Sequence, residues 1–200
     1  ISSDISPTGG QMARGLGLAL ASKKYRESPE LRTATTFSNN GDEVVFITIG
    51  DATTSEGPFW ESMNAAAVMK VPMVVSVWDD GYGISVPKKH QTTKENISEV
   101  LRGFAGDGGL DIYQGKAWDY DGLCALYTDA VARMRKSHRP ALFHIQEVTQ
   151  QLGHSTSGDH RRYKSAERLA FEEAFDCNKR MAEWMITSGI ADAGQIERIK

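Results

Sequence analysis

Apolar residues in this chain gather in short runs separated by longer, patterned stretches. Val44-Val45-Phe46-Ile47-Thr48-Ile49 is one run, and Val71-Pro72-Met73-Val74-Val75-Ser76-Val77 is a second. Runs this short, without polar alternation, predict strands buried on both faces. Pro58 to Lys70 predicts a helix between them. A strand–helix–strand unit implies parallel strands and a right-handed crossover. Each run ends in a loop at a strand's carboxyl end, where open α/β sheets bind ligands. The first loop is Gly50-Asp51-Ala52-Thr53-Thr54-Ser55-Glu56-Gly57 and the second is Trp78-Asp79-Asp80-Gly81-Tyr82-Gly83. Asp51 and Asp80 are expected to face each other across that edge.

The rest of the chain continues the alternation. Residues 11–25 predict a helix of small residues, among them Gly15 and Gly17. Glycine costs about 1 kcal/mol against alanine inside a helix, so the pair predicts close packing on a neighbouring backbone. Residues 27–43 read as a polar excursion with a turn at Asn39-Asn40-Gly41-Asp42. Further on come a helix over 96–104, a strand over 111–114, and a helix over 119–136 opened by acidic residues. That helix is expected to bury Leu123, Leu126, Ala130 and Met134. A strand over 140–148, a polar loop over 151–163, a helix over 166–188 and another starting near Gln195 complete the pattern. The expected fold is α/β, a mostly parallel sheet with helices on both faces.

Composition narrows the function classes. The chain has 200 residues, 40% of them hydrophobic and 24% charged, which suits a globular domain. A formal net charge of −3 gives no electrostatic reason to expect nucleic acid. No apolar run approaches the roughly 20 residues of a membrane span. The two cysteines, Cys124 and Cys177, fall on predicted helices and form neither a disulfide framework nor a metal pair, so a cytoplasmic setting is expected. The chain opens at Ile1, and an excised fragment is expected.

Two readings of the acidic loops stand side by side. Gly-Asp and Asp-Asp-Gly are ordinary turn formers. Carboxylates at the mouth of a sheet also suit a hard cation such as Mg²⁺, which prefers oxygen and often bridges to phosphate. Gly15-Leu16-Gly17 is half of a dinucleotide fingerprint, but it follows no strand and lacks the third glycine. His144 reads as a core strand residue, and His90 and His138 as surface residues.

Gly50-Asp51 followed by Asp79-Asp80-Gly81-Tyr82 resembles the thiamine-diphosphate motif, Gly-Asp-Gly and then Asn-Asn after a spacer. The surrounding words are more specific. Gly50-Asp51-Ala52-Thr53-Thr54-Ser55-Glu56-Gly57, Asn64-Ala65-Ala66-Ala67-Val68, Gly81-Tyr82-Gly83-Ile84-Ser85-Val86-Pro87, Ser6-Pro7-Thr8-Gly9-Gly10-Gln11 and Gly153-His154-Ser155-Thr156-Ser157 resemble the α subunit, or α-like half, of the decarboxylating component of 2-oxoacid dehydrogenases. The resemblance implies a thiamine-diphosphate-binding fold and oxidative decarboxylation of a 2-oxoacid with acyl transfer to a lipoyl group. It favours the branched-chain acids over pyruvate on the His154-Ser155-Thr156-Ser157 word.

The same resemblance implies roles by position. Asp51 and Asp80 are Mg²⁺ ligands through their side chains and Tyr82 through its main-chain carbonyl. Gly50, Ala52 and Thr53 contact the cofactor diphosphate, Ser6 and Thr8 approach the cofactor from the other side, and His154 reaches the reacting centre. Residues 1–165 then form the diphosphate- and metal-binding domain, and residues 166–200 a helical segment packing on it. The implied partners are a β-type subunit or domain that completes the site, a lipoyl-bearing acyltransferase and a small 2-oxoacid, with a homo-oligomer or heterotetramer as the full assembly. Three departures stand out: Ala52 where glycine is usual, Asp79-Asp80 in place of Asn-Asn, and Trp78 where some relatives carry arginine or glutamine. Asp80 in place of asparagine adds negative charge beside a diphosphate. Asp79-Asp80 and Trp78 support a rival expectation, an inactive structural or regulatory module of the same fold.

Overall fold

A computed structural model describes residues 7–33, 36–107, 109–151, 153–154 and 159–199. The elements in chain order are α1 (Gln11–Glu27), α2 (Pro29–Thr33), β1 (Val45–Gly50), α3 (Gly57–Met69), β2 (Met73–Trp78), β3 (Tyr82–Gly83), β4 (Val86–Pro87), α4 (Ile97–Val100), β5 (Asp111–Lys116), α5 (Tyr120–Ser137), β6 (Ala141–Gln146), α6 (Ala166–Ala174), α7 (Cys177–Thr187) and α8 (Ala193–Ile199). Four strands form a parallel sheet in the order β1-β2-β6-β5, while β3 and β4 make a separate antiparallel hairpin. Helices lie on both sheet faces, as the alternating pattern predicts.

Strand registry explains the layering, because successive side chains leave a strand on opposite faces. Ile47, Ile49, Met73, Val75, Val77 and Leu142 enter one core with Met12 and Ala19 of α1 and Phe59, Met63 and Ala66 of α3. On the opposite face Val74, Ala141, Phe143 and Ile145 meet Ala130 and Met134 of α5. Leu123 and Leu126 are only partly buried beside that cluster.

The expectation of strands buried on both faces holds for β2 but not for β1, and β6 is buried in the same way as β2. Strand β1 lies at the sheet edge, and its residues alternate between buried and exposed from Phe46 onward. Helix α5 covers β5 and β6, so the far side of β1 is left open, with Phe46 51% and Trp78 52% exposed.

Close approach of α1 to β1 depends on Gly15. A methyl group there would lie 2.2 Å from Ile47 Cδ1. Gly17 has nothing within 4 Å of the equivalent point, so the packing argument holds for one glycine of the pair and fails for the other.

The single helix expected over 166–188 is two helices. Asp176 interrupts it: its carboxylate accepts the Lys179 N–H at 2.8 Å and caps α7. Aspartate satisfies free N–H groups at a helix start better than it tolerates a helix interior. The C-terminal helices pack through ring contacts, Trp118 with Phe175 at 5.1 Å and Tyr120 with Trp184 at 4.9 Å between centroids. Among the described residues no helix is long and apolar enough to cross a membrane.

Candidate functional site

Parallel pairing of β1 with β2 sets Gly50 opposite Trp78. The two acidic loops therefore leave adjacent strands at the same sheet edge. The first turns at once into a 3₁₀ helix over Asp51–Ser55, fixed where the Thr54 hydroxyl donates to the Asp51 carbonyl at 2.6 Å. Asp51, Thr53 and Thr54 are buried.

Asp51 is the electrostatic centre of this edge. Burial, the charges of Asp79 and Asp80, and a hydrogen bond shared with the Asp80 carboxyl push its carboxyl up to about 8. Its Oδ2 is buried with no hydrogen-bond partner. Two carboxyl groups therefore meet, with one buried Asp51 oxygen left without a partner, an arrangement that calls for a shared proton or a cation. Among the described residues no set of three or more His, Cys, Asp or Glu side chains forms a cation cage. A pair of carboxylates suits Mg²⁺, which keeps further positions for main-chain, phosphate or water oxygens. The donor set thus fits the cation that the motif implies.

Asp79, the other acid of the pair, is bound elsewhere. Its Oδ2 accepts from Lys88 Nζ at 2.9 Å and from His144 Nε2 at 2.8 Å. His144 is fully buried, and its Nδ1 lies 2.8 Å from the Ser98 hydroxyl. Burial alone would raise the Asp79 carboxyl, but the His144 and Lys88 hydrogen bonds and the Lys88 charge hold it below the ordinary range. His144 is the core residue expected, with this added role. Nothing in the sequence pairs Lys88 with Asp79, because the β3–β4 hairpin between them brings the two together.

The Asp79–Tyr82 segment is held at every peptide. Asp79 extends the sheet, donating its N–H to the Ile145 carbonyl at 2.8 Å and accepting the Val148 N–H at 3.0 Å. The Asp80 carboxylate accepts the Tyr82 N–H at 3.0 Å. Arg168 Nη2 donates to the Asp80 carbonyl at 2.7 Å, and the Lys88 N–H to the Gly81 carbonyl at 2.9 Å. Gly81 sits at φ +83°, a conformation natural to glycine.

Ala52, the departure from the usual glycine, is accommodated across the gap. A methyl group at Gly83 would lie 2.9 Å from Ala52 Cβ. The side chain gained at 52 occupies space left free at 83.

Thr8, Gly50, Thr53 and Trp78 line one open groove of about 890 Å³ along β1. Gly9, at φ +81°, places its backbone against Thr53 and Glu56, so the segment after Pro7 lies over the first acidic loop. Trp78 Nε1 donates to the Ser76 hydroxyl at 3.0 Å. Ser6 lies outside the described residues. His154 is exposed on the loop after β6; its main-chain N–H donates to the Tyr163 hydroxyl, and the Tyr163 ring lies 5.6 Å from that of Tyr82. The structure thus brings together Asp51, Asp80 and Tyr82 on one side and Thr8, Gly50 and Thr53 on the other.

Sequence reasoning missed Arg168. Its Nε donates to Glu172 Oε1 at 2.8 Å, and Glu172 also accepts from Lys164 Nζ at 2.7 Å. Lys164 and Glu172 are buried. Arginine and glutamate four apart on a helix ordinarily read as a surface pair, so the pattern gave no sign of burial.

Comparison with known proteins supplies an independent line. The family model described as "Dehydrogenase E1 component" matches residues 2–200. The α subunit of 3-methyl-2-oxobutanoate dehydrogenase from Mycobacterium tuberculosis is 32% identical over 82% of this chain and 39% of its own length. The α subunit of 2-oxoisovalerate dehydrogenase from Bacillus subtilis is 28% identical over 84% of this chain and 45% of its own length. The pyruvate dehydrogenase E1 component α subunit of Acholeplasma laidlawii is 30% identical, covering 76% of this chain and 38% of its own. The chain therefore spans less than half the length of these relatives.

Proposed function

The chain belongs to the dehydrogenase E1 component family, and on that premise we propose that it is the diphosphate- and cation-binding side of a thiamine-diphosphate-dependent 2-oxoacid dehydrogenase. The observation that carries this reading is the meeting of the Asp51 and Asp80 carboxyls at the sheet edge with the buried Asp51 Oδ2 left without a partner. In this reading Asp51 and Asp80 hold Mg²⁺ through side-chain oxygens and Tyr82 holds it through its main-chain carbonyl. Gly50, Ala52 and Thr53 line the diphosphate, while Ser6 and Thr8 close on the cofactor from the other side. Thiamine diphosphate, when bound, supplies the electron sink that lets carbon dioxide leave a 2-oxoacid. The chain's own work is binding and orientation. His154 steadies the substrate or the lipoyl acceptor.

The branched-chain acids are favoured as substrates, because two of the relatives above are named for them and the His154-Ser155-Thr156-Ser157 word agrees. A β-type subunit or domain completes the site, and a lipoyl-bearing acyltransferase receives the acyl group. The assembly is a heterotetramer or homo-oligomer in the cytoplasm. Residues 1–165 carry the cofactor contacts, and residues 166–200 brace them. By themselves residues 1–200 are inactive, since half a site neither excludes water nor fixes the reacting geometry.

The rival reading, an inactive module of the same fold, drew on the Asp79-Asp80 pair. The ion pair of Asp79 with Lys88 argues against it, because the charge at 79 is balanced locally. Calorimetric titration of thiamine diphosphate into the full-length protein with its partner subunit, with and without Mg²⁺, separates the two. Saturable, Mg²⁺-dependent binding is expected. No binding in the presence of Mg²⁺ would sink the proposal and favour the inactive module.

A further inference from the structure

Arg168 lies far in sequence from the acidic loops and within reach of one of them in space. It is a partly buried residue of α6 whose three hydrogen bonds point in different directions. Nε is held by Glu172, and Nη2 reaches the Asp80 carbonyl at 2.7 Å and the Val148 carbonyl at 3.2 Å. Its guanidinium lies 5.9 Å from the Tyr82 ring centre, on which Lys164 Nζ also sits at 5.3 Å. Glu172 is itself fixed by two bonds from Lys164, and its main-chain carbonyl accepts from Gln151 at 2.7 Å. A planar fork whose orientation is set by a buried carboxylate is a rigid donor, which a flexible ammonium is not.

The Asp80–Gly81 peptide separates two of the proposed cation ligands, the Asp80 side chain and the Tyr82 carbonyl. Turning that peptide moves both ligands relative to Asp51. The two neighbouring carbonyls are tethered by main-chain N–H groups of Val148 and Lys88. Arg168 supplies the side-chain donor to the one between them. We infer that Arg168 is a positioning residue: it fixes the Asp80–Gly81 peptide so that Asp80 and Tyr82 present their oxygens together toward Asp51. This rests on the cation site proposed above.

The test uses the full-length protein with its partner subunit and the variants R168K and R168M, with L169A, at a half-buried position of α6, as a control for α6 stability. R168K keeps a positive charge beside Glu172 but cannot span Glu172 and the Asp80 carbonyl with one fork. Two measurements are made: amide hydrogen exchange of residues 79–83 without metal or cofactor, and the Mg²⁺ concentration giving half-saturation in thiamine diphosphate binding. Both R168K and R168M are expected to speed exchange at least tenfold and to raise the Mg²⁺ half-saturation about tenfold. L169A is expected to lower the thermal midpoint with a smaller effect on Mg²⁺. Wild-type values in R168K would overturn the inference, because charge balance at Glu172 would then be the whole role. An L169A effect on Mg²⁺ equal to that of R168K would overturn it as well, by tracing the loss to helix stability. Should R168M fail to fold, R168K decides. Should the wild-type chain show no Mg²⁺-dependent binding, the functional reading fails, and the exchange measurement still tells whether Arg168 holds the peptide.

Discussion

Asp79 Oδ2 lies 2.9 Å from Lys88 Nζ, with the carboxylate almost wholly buried and the lysine one-third exposed. An acid placed next to a proposed cation ligand is thereby neutralised within the protein. The sequence placed negative charge at this pair; the ion pair balances the Asp79 part of it locally. Removing one partner of a buried pair costs more than the pair contributes, because a charge is left without compensation. Lys88→Met is expected to destabilise the chain by about 2 kcal/mol, read from urea unfolding. The double variant with Asp79→Asn is expected to recover most of that loss, and a purely additive double variant would refute the pairing.

Asp51 and Asp80 are expected to behave differently on substitution. Asp51 is the more deeply buried of the two, and its Oδ2 is buried without a partner. Asp51→Ala is expected to abolish Mg²⁺-dependent thiamine diphosphate binding in the full-length protein. Asp80→Asn keeps one ligand oxygen and is expected to retain binding within about tenfold, a loss of roughly 1.4 kcal/mol. Equal loss in calorimetry of both variants would show that the second charge is required.

In the absence of a divalent cation Asp51 is a burden on the fold, since it is buried beside two other acids. Asp51→Asn removes the charge and keeps the shape. It is expected to raise the stability of the metal-free chain near pH 8 by about 1–2 kcal/mol. A lowered thermal midpoint in metal-free buffer would contradict this.

Gly83 and Ala52 form a complementary pair. Gly83→Ala is expected to destabilise by about 1–3 kcal/mol through overpacking, because the added methyl meets Ala52 Cβ at 2.9 Å as well as the Gln91 side chain. Adding Ala52→Gly is expected to restore much of the loss. A double variant no more stable than Gly83→Ala would place the strain at Gln91 instead.

Glu43 gives a pH signature away from the site. Burial raises its carboxyl, but the Asn39 N–H, its own N–H, and the hydroxyls of Ser38 and Ser22 outweigh burial and hold it below the ordinary range. A depressed folded-state value means that the native state favours the ionised form. The contribution is present above the unfolded value near 4.5 and is lost as pH falls through the lower folded value. Glu43→Gln is expected to cost about 1 kcal/mol at pH 7 and progressively less as pH falls below 4.5. Parallel stability curves for the two proteins across that range would exclude it.

Much of the fold was legible because β2 and β6 are largely apolar and their period differs from that of the helices. The approach of Gly15 to Ile47 was readable from a glycine misplaced in a helix. The open face of β1 was not readable, since Phe46 looks like a core residue until the edge position of its strand is known. The break at Asp176 was available in principle from its capping chemistry, but the hydrophobic pattern runs across it. At the candidate site, the facing of Asp51 and Asp80 followed from two parallel strands ending in acidic loops. Lys88, Ser98 and Arg168 were invisible for a common reason. Each partners a residue brought near by a hairpin or a distant helix, and polar residues in loops or at helical spacing otherwise suit a solvated surface.

Consecutive carbonyls at Asp79, Asp80 and Gly81 each accept a hydrogen bond. Fixing a residue's backbone costs about 1–2 kcal/mol of conformational entropy. In this loop that loss is incurred when the chain folds, before any ligand arrives. A ligand at this edge then meets a surface already in one arrangement, so its affinity is not diminished by ordering the loop. The corollary lies in temperature. Without a large folding transition in the Asp79–Tyr82 segment, ligand binding there is expected to carry only a small heat-capacity change.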